Sequence, residues 1–259
     1  MERHGLEARR ALGQNFVVDP NTVRRIARLA EVGEGDPVVE IGPGLGSLTL
    51  ALVELGAQVT AVEMDRDVVP VLREVVASHD VRVIEGDARE VDWEVVLGAH
   101  ERWTLVANLP YNVATPLVLD LLRDVPRIQS MLVMVQREAG ERLAATAGDK
   151  AIGIPSIIVA YHGVAEVVGR VPATVFHPQP KVESVLVRIT RHAVAPVATP
   201  IEQIEPVLRT AYGQRRKMLR RSLSALIEPA GFAAAGVDPE ARPETLDLDA
   251  WSRLAGQRR

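Results

Sequence analysis

Asn108-Leu109-Pro110-Tyr111 gathers an amide, a backbone carbonyl, a rigid proline and an aromatic ring within four residues. That set suits an exocyclic aromatic amine such as adenine N6. Its lone pair is delocalised into the ring, which makes the amine a poor nucleophile. Asn108 Oδ1 and the Leu109 carbonyl can each accept one N6 hydrogen and so localise the lone pair. Pro110 fixes its own φ and keeps the Leu109 carbonyl directed into the site. Tyr111 offers a π face on which a base can stack, worth about 1–3 kcal/mol. A plain Asx-Pro turn could also bring an asparagine and a proline together, but it does not account for the aromatic that follows.

A second group of residues suits a nucleoside. Glu40-Ile41-Gly42-Pro43-Gly44-Leu45-Gly46 stands between a strand-like and a helix-like stretch. Its glycines allow a tight turn and close approach of backbone N–H groups to a ligand. A dinucleotide fingerprint needs a glycine five positions after the first, where this chain has Ser47. The spacing therefore favours a nucleoside cofactor other than NAD. Glu63, 21 positions after Gly42, ends the next strand-like run, where a carboxylate can accept both hydroxyl protons of a ribose. Asp87 follows the third such run and is placed to accept from an adenine amine. Either acid alone reads equally well as a solvated strand end. Three successive strand ends carrying suitable groups favour a site, because open α/β sheets bind ligands at their carboxyl edge. Phe176, in the stretch Phe176-His177-Pro178-Gln179-Pro180, is too deep in a proline-rich loop to read as routine core. We assign it to stacking on the base opposite Tyr111.

The elements that must position these groups follow a β/α alternation. Strands are expected at Pro37–Ile41, Val59–Glu63, Val81–Glu85, Thr104–Ala107 and Met131–Gln136. Helices are expected around Ser47–Leu55, Asp67–Ala77, Thr115–Leu122 and Arg137–Ala145, with an earlier one over Asn21–Ala30 capped by Asp19 or Asn21. The strands are nearly continuous in Val, Ile, Leu and Ala, as in a parallel sheet covered on both faces. The fold class is thus α/β, a Rossmann-like doubly wound sheet. Val164–Val171 and Ser184–Ile189 read as antiparallel strands closing its far edge. His192 to Pro200 reads as a linker, and Leu219, Leu223 and Leu226 then fall on one helical face. The expected division is a catalytic domain over 1–192 and a small all-α domain over 200–259.

Composition removes several alternatives. Without cysteine there is no disulfide framework, thiolate catalysis or cysteine-based zinc site. The six histidines show no ligand spacing, so no metal is expected. No apolar run reaches the ~18–20 residues of a membrane span, and the polar start is unlike a signal peptide, which suggests a cytoplasmic protein. We expect a monomer. The net charge of −4 argues against a nucleic-acid partner only if the cations are dispersed. They are not: Arg215-Arg216-Lys217-Met218-Leu219-Arg220-Arg221 holds five in seven residues. Such a run is usually a solvated face, but on an acidic chain it also suits phosphate.

Asn-x-Pro-aromatic at the fourth strand end resembles the signature of amino-directed methyltransferases. Gly13-Gln14-Asn15-Phe16, the E-x-G-x-G-x-G turn, Asn108–Asn112 and Phe176–Ser184 together resemble the ribosomal RNA adenine N6,N6-dimethyltransferase family, and the likeness runs from about Arg9 to Leu226. The resemblance implies an enzyme that uses S-adenosylmethionine. It implies that Asn15 and Val17 cover this cofactor and that Gly42, Gly44, Glu63, Asp87 and Asn108 complete its pocket, with Asn108, Leu109, Pro110, Tyr111 and Phe176 serving the chemistry. Arg215, Arg216, Lys217, Arg220 and Arg221 would bind RNA. Within the family the chain is most similar to the small-subunit branch, whose substrate is two adjacent adenosines near the 3′ end of 16S rRNA, in the small ribosomal subunit or its precursor. Val17, Ile152 and Val135 stand where that family often has leucine, tyrosine and phenylalanine, and Glu183 keeps the charge of its usual aspartate. The competing readings are the 23S rRNA branch that confers macrolide resistance, a non-catalytic ribosome-assembly factor and, more remotely, an NAD-dependent oxidoreductase.

Overall fold

The computed structural model describes residues 15–259. In chain order the first elements are β1 (Phe16–Val17), α1 (Pro20–Leu29), β2 (Pro37–Ile41), α2 (Ser47–Val53), β3 (Gln58–Glu63), α3 (Val68–Val75) and β4 (Val81–Glu85). There follow α4 (Trp93–Leu97), β5 (Trp103–Asn108), α5 (Ala114–Asp124), β6 (Ile128–Gln136), α6 (Arg137–Leu143), α7 (Ile154–His162) and β7 (Gly163–Val171). The last are β8 (Phe176–His177), β9 (Ser184–Arg191), α8 (Ile201–Tyr212), α9 (Leu219–Ser222), α10 (Pro229–Ala235) and α11 (Leu248–Ala255). They form two compact units, one of residues up to Gly140 with Glu166–Thr190, the other of Glu141–Ala165 with Arg191–Arg259.

The first unit is built on a sheet in the order β4-β3-β2-β5-β6-β9-β7. From β4 to β6 every pairing is parallel, and β9 then runs antiparallel to β6, with Gln136 opposite Ser184. The α/β reading of the sequence therefore holds. β2 pairs with both β3 and β5, so the chain reverses its direction of winding there. That is the switch point at which open α/β sheets bind ligands. Val38, Val39, Leu105 and Val106 are wholly buried, as the unbroken apolar runs of central strands require. One core layer joins Val23, Ile26 and Ala27 of α1 and Leu52 of α2 to Val38, Val106, Leu132 and Leu186 of the sheet. Asp19 caps α1, accepting from Thr22 N at 2.7 Å and Thr22 Oγ1 at 2.6 Å.

The second unit is helical apart from its share of β7. Ile204, Val207, Leu208 and Ala211 of α8 are buried, as are Leu219, Phe232, Trp251 and Leu254. The Tyr212 and Trp251 rings lie 6.1 Å apart at 37°. Helix α9 stops at Ser222, so the expected apolar face is helical only at Leu219, while Leu223 is buried in the turn that follows. Helix α7 was not among the expected elements. Its Ile157-Ile158-Val159 run is strand-like by propensity, and burial of that run overrides the weak preference. Among the described residues no helix is long and apolar enough to cross a membrane.

Candidate active site

The loop after β2 is shaped by its glycines. Gly42, Gly44 and Gly46 have φ of 68°, 57° and 83°, a region costly for other residues. At Gly44 a second constraint applies, since a Cβ there would lie 2.7 Å from Phe16 Cε1. The Phe16 ring thus rests on the loop, held there by β1, which pairs with β8 in a two-stranded sheet. Behind the loop, Thr49 Oγ1 donates to Glu40 Oε2 at 2.6 Å and ties α2 to β2. Glu40 is only 1% exposed. Burial, reinforced by the charge of Glu63, pushes its carboxyl up to about 8, against the opposing hydrogen bond from Thr49.

Glu63 ends β3 with both carboxylate oxygens fixed by backbone. Gly44 N donates to Oε2 at 3.1 Å and Asp65 N to Oε1 at 2.9 Å. Burial raises its pKa while these donors pull it down. A carboxylate has about four lone-pair sites, so acceptor capacity remains on each oxygen. Asp87, beyond β4, is bound by Arg89: Nε lies 3.1 Å from both oxygens, Nη2 2.5 Å from Oδ2, and the Arg89 amide 2.9 Å from Oδ1. The side-chain bonds from Arg89 hold the Asp87 carboxyl below the ordinary range despite partial burial.

Asn108 ends β5 and donates from Nδ2 to the Asn15 carbonyl at 2.8 Å. A carbonyl can only accept, so this bond settles which way the amide is turned and leaves Oδ1 as the free acceptor. Leu109 is anchored by its amide to Met134 O at 3.2 Å, and Pro110 O accepts from Val113 and Ala114, starting α5. Tyr111 is half-buried, with its hydroxyl 2.7 Å from Ser184 Oγ. Burial raises its pKa.

One cleft of about 1150 Å³, open mouth included, is lined by Asn15, Gly42, Gly44, Glu63, Asp87, Asn108, Leu109, Pro110 and Tyr111. Two expected members are elsewhere. Phe176 is 4% exposed and packs in the core layer with Val23, Ile26 and Leu186, so the expectation that it lies outside the core is corrected. Its backbone is extended opposite Val17 in the β1–β8 pair, and burying an aromatic ring of ~150–250 Å² outweighs leaving it on a loop surface. Val17 lines a neighbouring hollow with Phe16 rather than this cleft. Gly13 and Gln14 lie outside the described residues.

The sequence matches the family described as Ribosomal RNA adenine dimethylase over residues 5–255. The chain belongs to that family. Its relatives include Ribosomal RNA small subunit methyltransferase A of Thermobifida fusca, 44% identical over 98% of this chain and 91% of the relative. The protein of the same name from Moorella thermoacetica is 41% identical over 97% and 92%. Among solved structures, a dimethyladenosine transferase from Plasmodium falciparum shares the fold, with a TM-score of 0.77, 23% identity and coverage of 94% and 99%. The 23S rRNA methyltransferase ErmE does so with a TM-score of 0.73, 25% identity and coverage of 93% and 98%. The fold alone therefore does not separate the two RNA substrates. The full-length relatives are named for the small subunit.

In this dimethylase-family chain the basic run belongs to the second unit and sits on the turn after α8 and on α9. Arg215 is engaged by Glu244 at 3.6 Å and by the Lys150 carbonyl at 3.0 Å, and Arg220 by Glu240 at 2.9 Å. Arg216, Lys217 and Arg221 are exposed and form no ion pair among the described residues. No group of three or more metal-ligating side chains occurs among those residues.

The cleft also contains residues to which sequence reasoning gave no role. Phe16 was visible in the Gly13–Phe16 motif, but its contact with Gly44 was not. Met64, 45% exposed, follows Glu63 directly, and an apolar residue after a strand-end acid was the available signal. Arg89 gave none, because its contact with Asp87 depends on the turn between them.

Proposed function

We propose that this cleft binds S-adenosylmethionine beside one extruded adenine and that the chain dimethylates N6 of two adjacent adenosines near the 3′ end of 16S rRNA. The supporting observation is the amide of Asn108, fixed through Nδ2 by the Asn15 carbonyl, on a residue that lines one cleft with Glu63, Asp87 and Tyr111. The donor set fits the cofactor: Glu63 has capacity for two ribose hydroxyls, Asp87 for an adenine amine, and Met64 and Phe16 offer apolar surface to the ring. When bound, the cofactor supplies an electrophilic methyl carbon that bonds to N6 as its bond to sulfur breaks, the electron pair staying on sulfur. Asn108 Oδ1 and the Leu109 carbonyl accept the two N6 hydrogens, turn the lone pair out of conjugation and help the departing proton to water. Tyr111 carries the base on its ring. Catalysis is then chiefly positioning and electrostatics.

The enzyme acts as a cytoplasmic monomer on rRNA within the small subunit or its precursor. The first unit carries the chemistry, and residues 200–259 of the second form the docking domain, where Arg216, Lys217 and Arg221, with Arg215 and Arg220, meet phosphate. Asn15, just before β1, and Phe16 close the site. The test is incubation with labelled S-adenosylmethionine and each purified ribosomal subunit. Label should enter the small subunit, and label confined to the large subunit would overturn the assignment.

A further inference from the structure

Ser184 is wholly buried at the start of β9, where Val185, Leu186 and Val187 beside it are all apolar and buried. A hydroxyl in that position is costly unless bonded, and Tyr111 Oη, 2.7 Å away, provides the partner. Stacking alone does not explain a tyrosine at 111, because phenylalanine presents the same π face. The two hydroxyls account for each other. They join the segment after β5 to β9, and β6 lies between these strands in the sheet.

We infer that Ser184 is a positioning residue that sets the tilt of the Tyr111 ring, and that this hold matters more for the second methyl transfer than for the first. The inference rests on the reading of the cleft proposed above. In the first transfer N6 has two hydrogens, and Asn108 Oδ1 and the Leu109 carbonyl each take one. The base is then located by two hydrogen bonds and by stacking. In the second, N6 carries one hydrogen and one methyl, so one acceptor has no donor. The chemistry is otherwise the same: N6 forms a bond to the methyl carbon, the carbon–sulfur bond breaks with its pair to sulfur, and one proton leaves N6 for water. The stacking ring now supplies a larger share of the alignment. Misplacement by about 1 Å can cost about 10²-fold in rate, so a ring free to tilt penalises this step first.

The test uses unmethylated small ribosomal subunits, S-adenosylmethionine and full-length protein, with nucleosides quantified by mass spectrometry over time. Ser184→Ala and Tyr111→Phe should each raise the ratio of N6-methyladenosine to N6,N6-dimethyladenosine by roughly three- to tenfold, as expected when one hydrogen bond is removed. Ser184→Ala should add nothing in the Tyr111→Phe background, since the two changes break one interaction. A general loss of stability would slow both transfers without changing the product ratio. Tyr111→Phe removes one atom from a half-buried ring, so it tests the inference even if Ser184→Ala does not fold. Dimethylation by wild type beside an unchanged ratio in Tyr111→Phe would overturn the role of Ser184. Absence of any methyladenosine with wild type would instead overturn the reading of the cleft.

Discussion

Glu40 and Asp87 lie near the ends of β2 and β4, on either side of β3, and their carboxyls are driven in opposite directions. Asp87 is held below the ordinary range by Arg89, so it remains an acceptor well into acid. Glu40 is raised to about 8 by burial and is protonated at neutral pH, which lets it sit among apolar neighbours with Thr49 as its partner. Linkage gives a sign. The unfolded chain releases the Glu40 proton near its ordinary pKa of 4.5, while the folded chain keeps it to about 8. Between these values the native state binds more protons, so this group's stabilisation is full at low pH and is lost as pH rises through that window. Glu40→Gln keeps an acceptor for Thr49 and does not titrate. Its stability relative to wild type should therefore rise from pH 5 to pH 8 by roughly 1–3 kcal/mol, measured by urea denaturation at each pH. A difference that stays constant across that range would contradict the assignment.

At the scale of elements, the strands that carry the site were legible because physics marked them twice. β2, β3 and β5 are buried on both faces, which forces an unbroken apolar run; β3 and β5 end in Glu63 and Asn108, and Asp87 follows β4. Glu63, Asp87 and Asn108 could thus be located from position alone, and the structure brings them to one cleft. The two-residue strands β1 and β8 were not legible, since two residues carry no periodicity and their pairing spans most of the first unit. That pairing decides two outcomes. It lays Phe16 on Gly44, and it turns Phe176 inward, contrary to what a proline-rich loop suggested. The side-chain pairs were equally hidden: Arg89 with Asp87 and Ser184 with Tyr111 meet through turn geometry and strand order, neither of which leaves a local mark.

For the whole molecule, net charge and local charge point in different directions. A chain of net charge −4 gains nothing from long-range attraction to RNA, so its affinity must come from clustered cations. The density of the basic run was legible in the sequence. Its partition was not, because Glu240 and Glu244 are remote in sequence from the cations they neutralise. Removing Arg216, Lys217 and Arg221 together should reduce the slope of log affinity against log salt by roughly one for each phosphate no longer neutralised. The measurement is binding to small subunits at several salt concentrations. An unchanged slope would place the docking surface elsewhere.

The central claim is that Asn108, held by the Asn15 carbonyl, presents Oδ1 to the amine that is methylated. Asn108→Ala tested on small subunits by nucleoside mass spectrometry addresses it most directly. The account predicts that single-turnover formation of N6-methyladenosine falls by about 10²–10³-fold, the loss typical of one preorganised polar group at a reacting centre, while binding to the subunit persists. Methylation by this variant at the wild-type rate would contradict it.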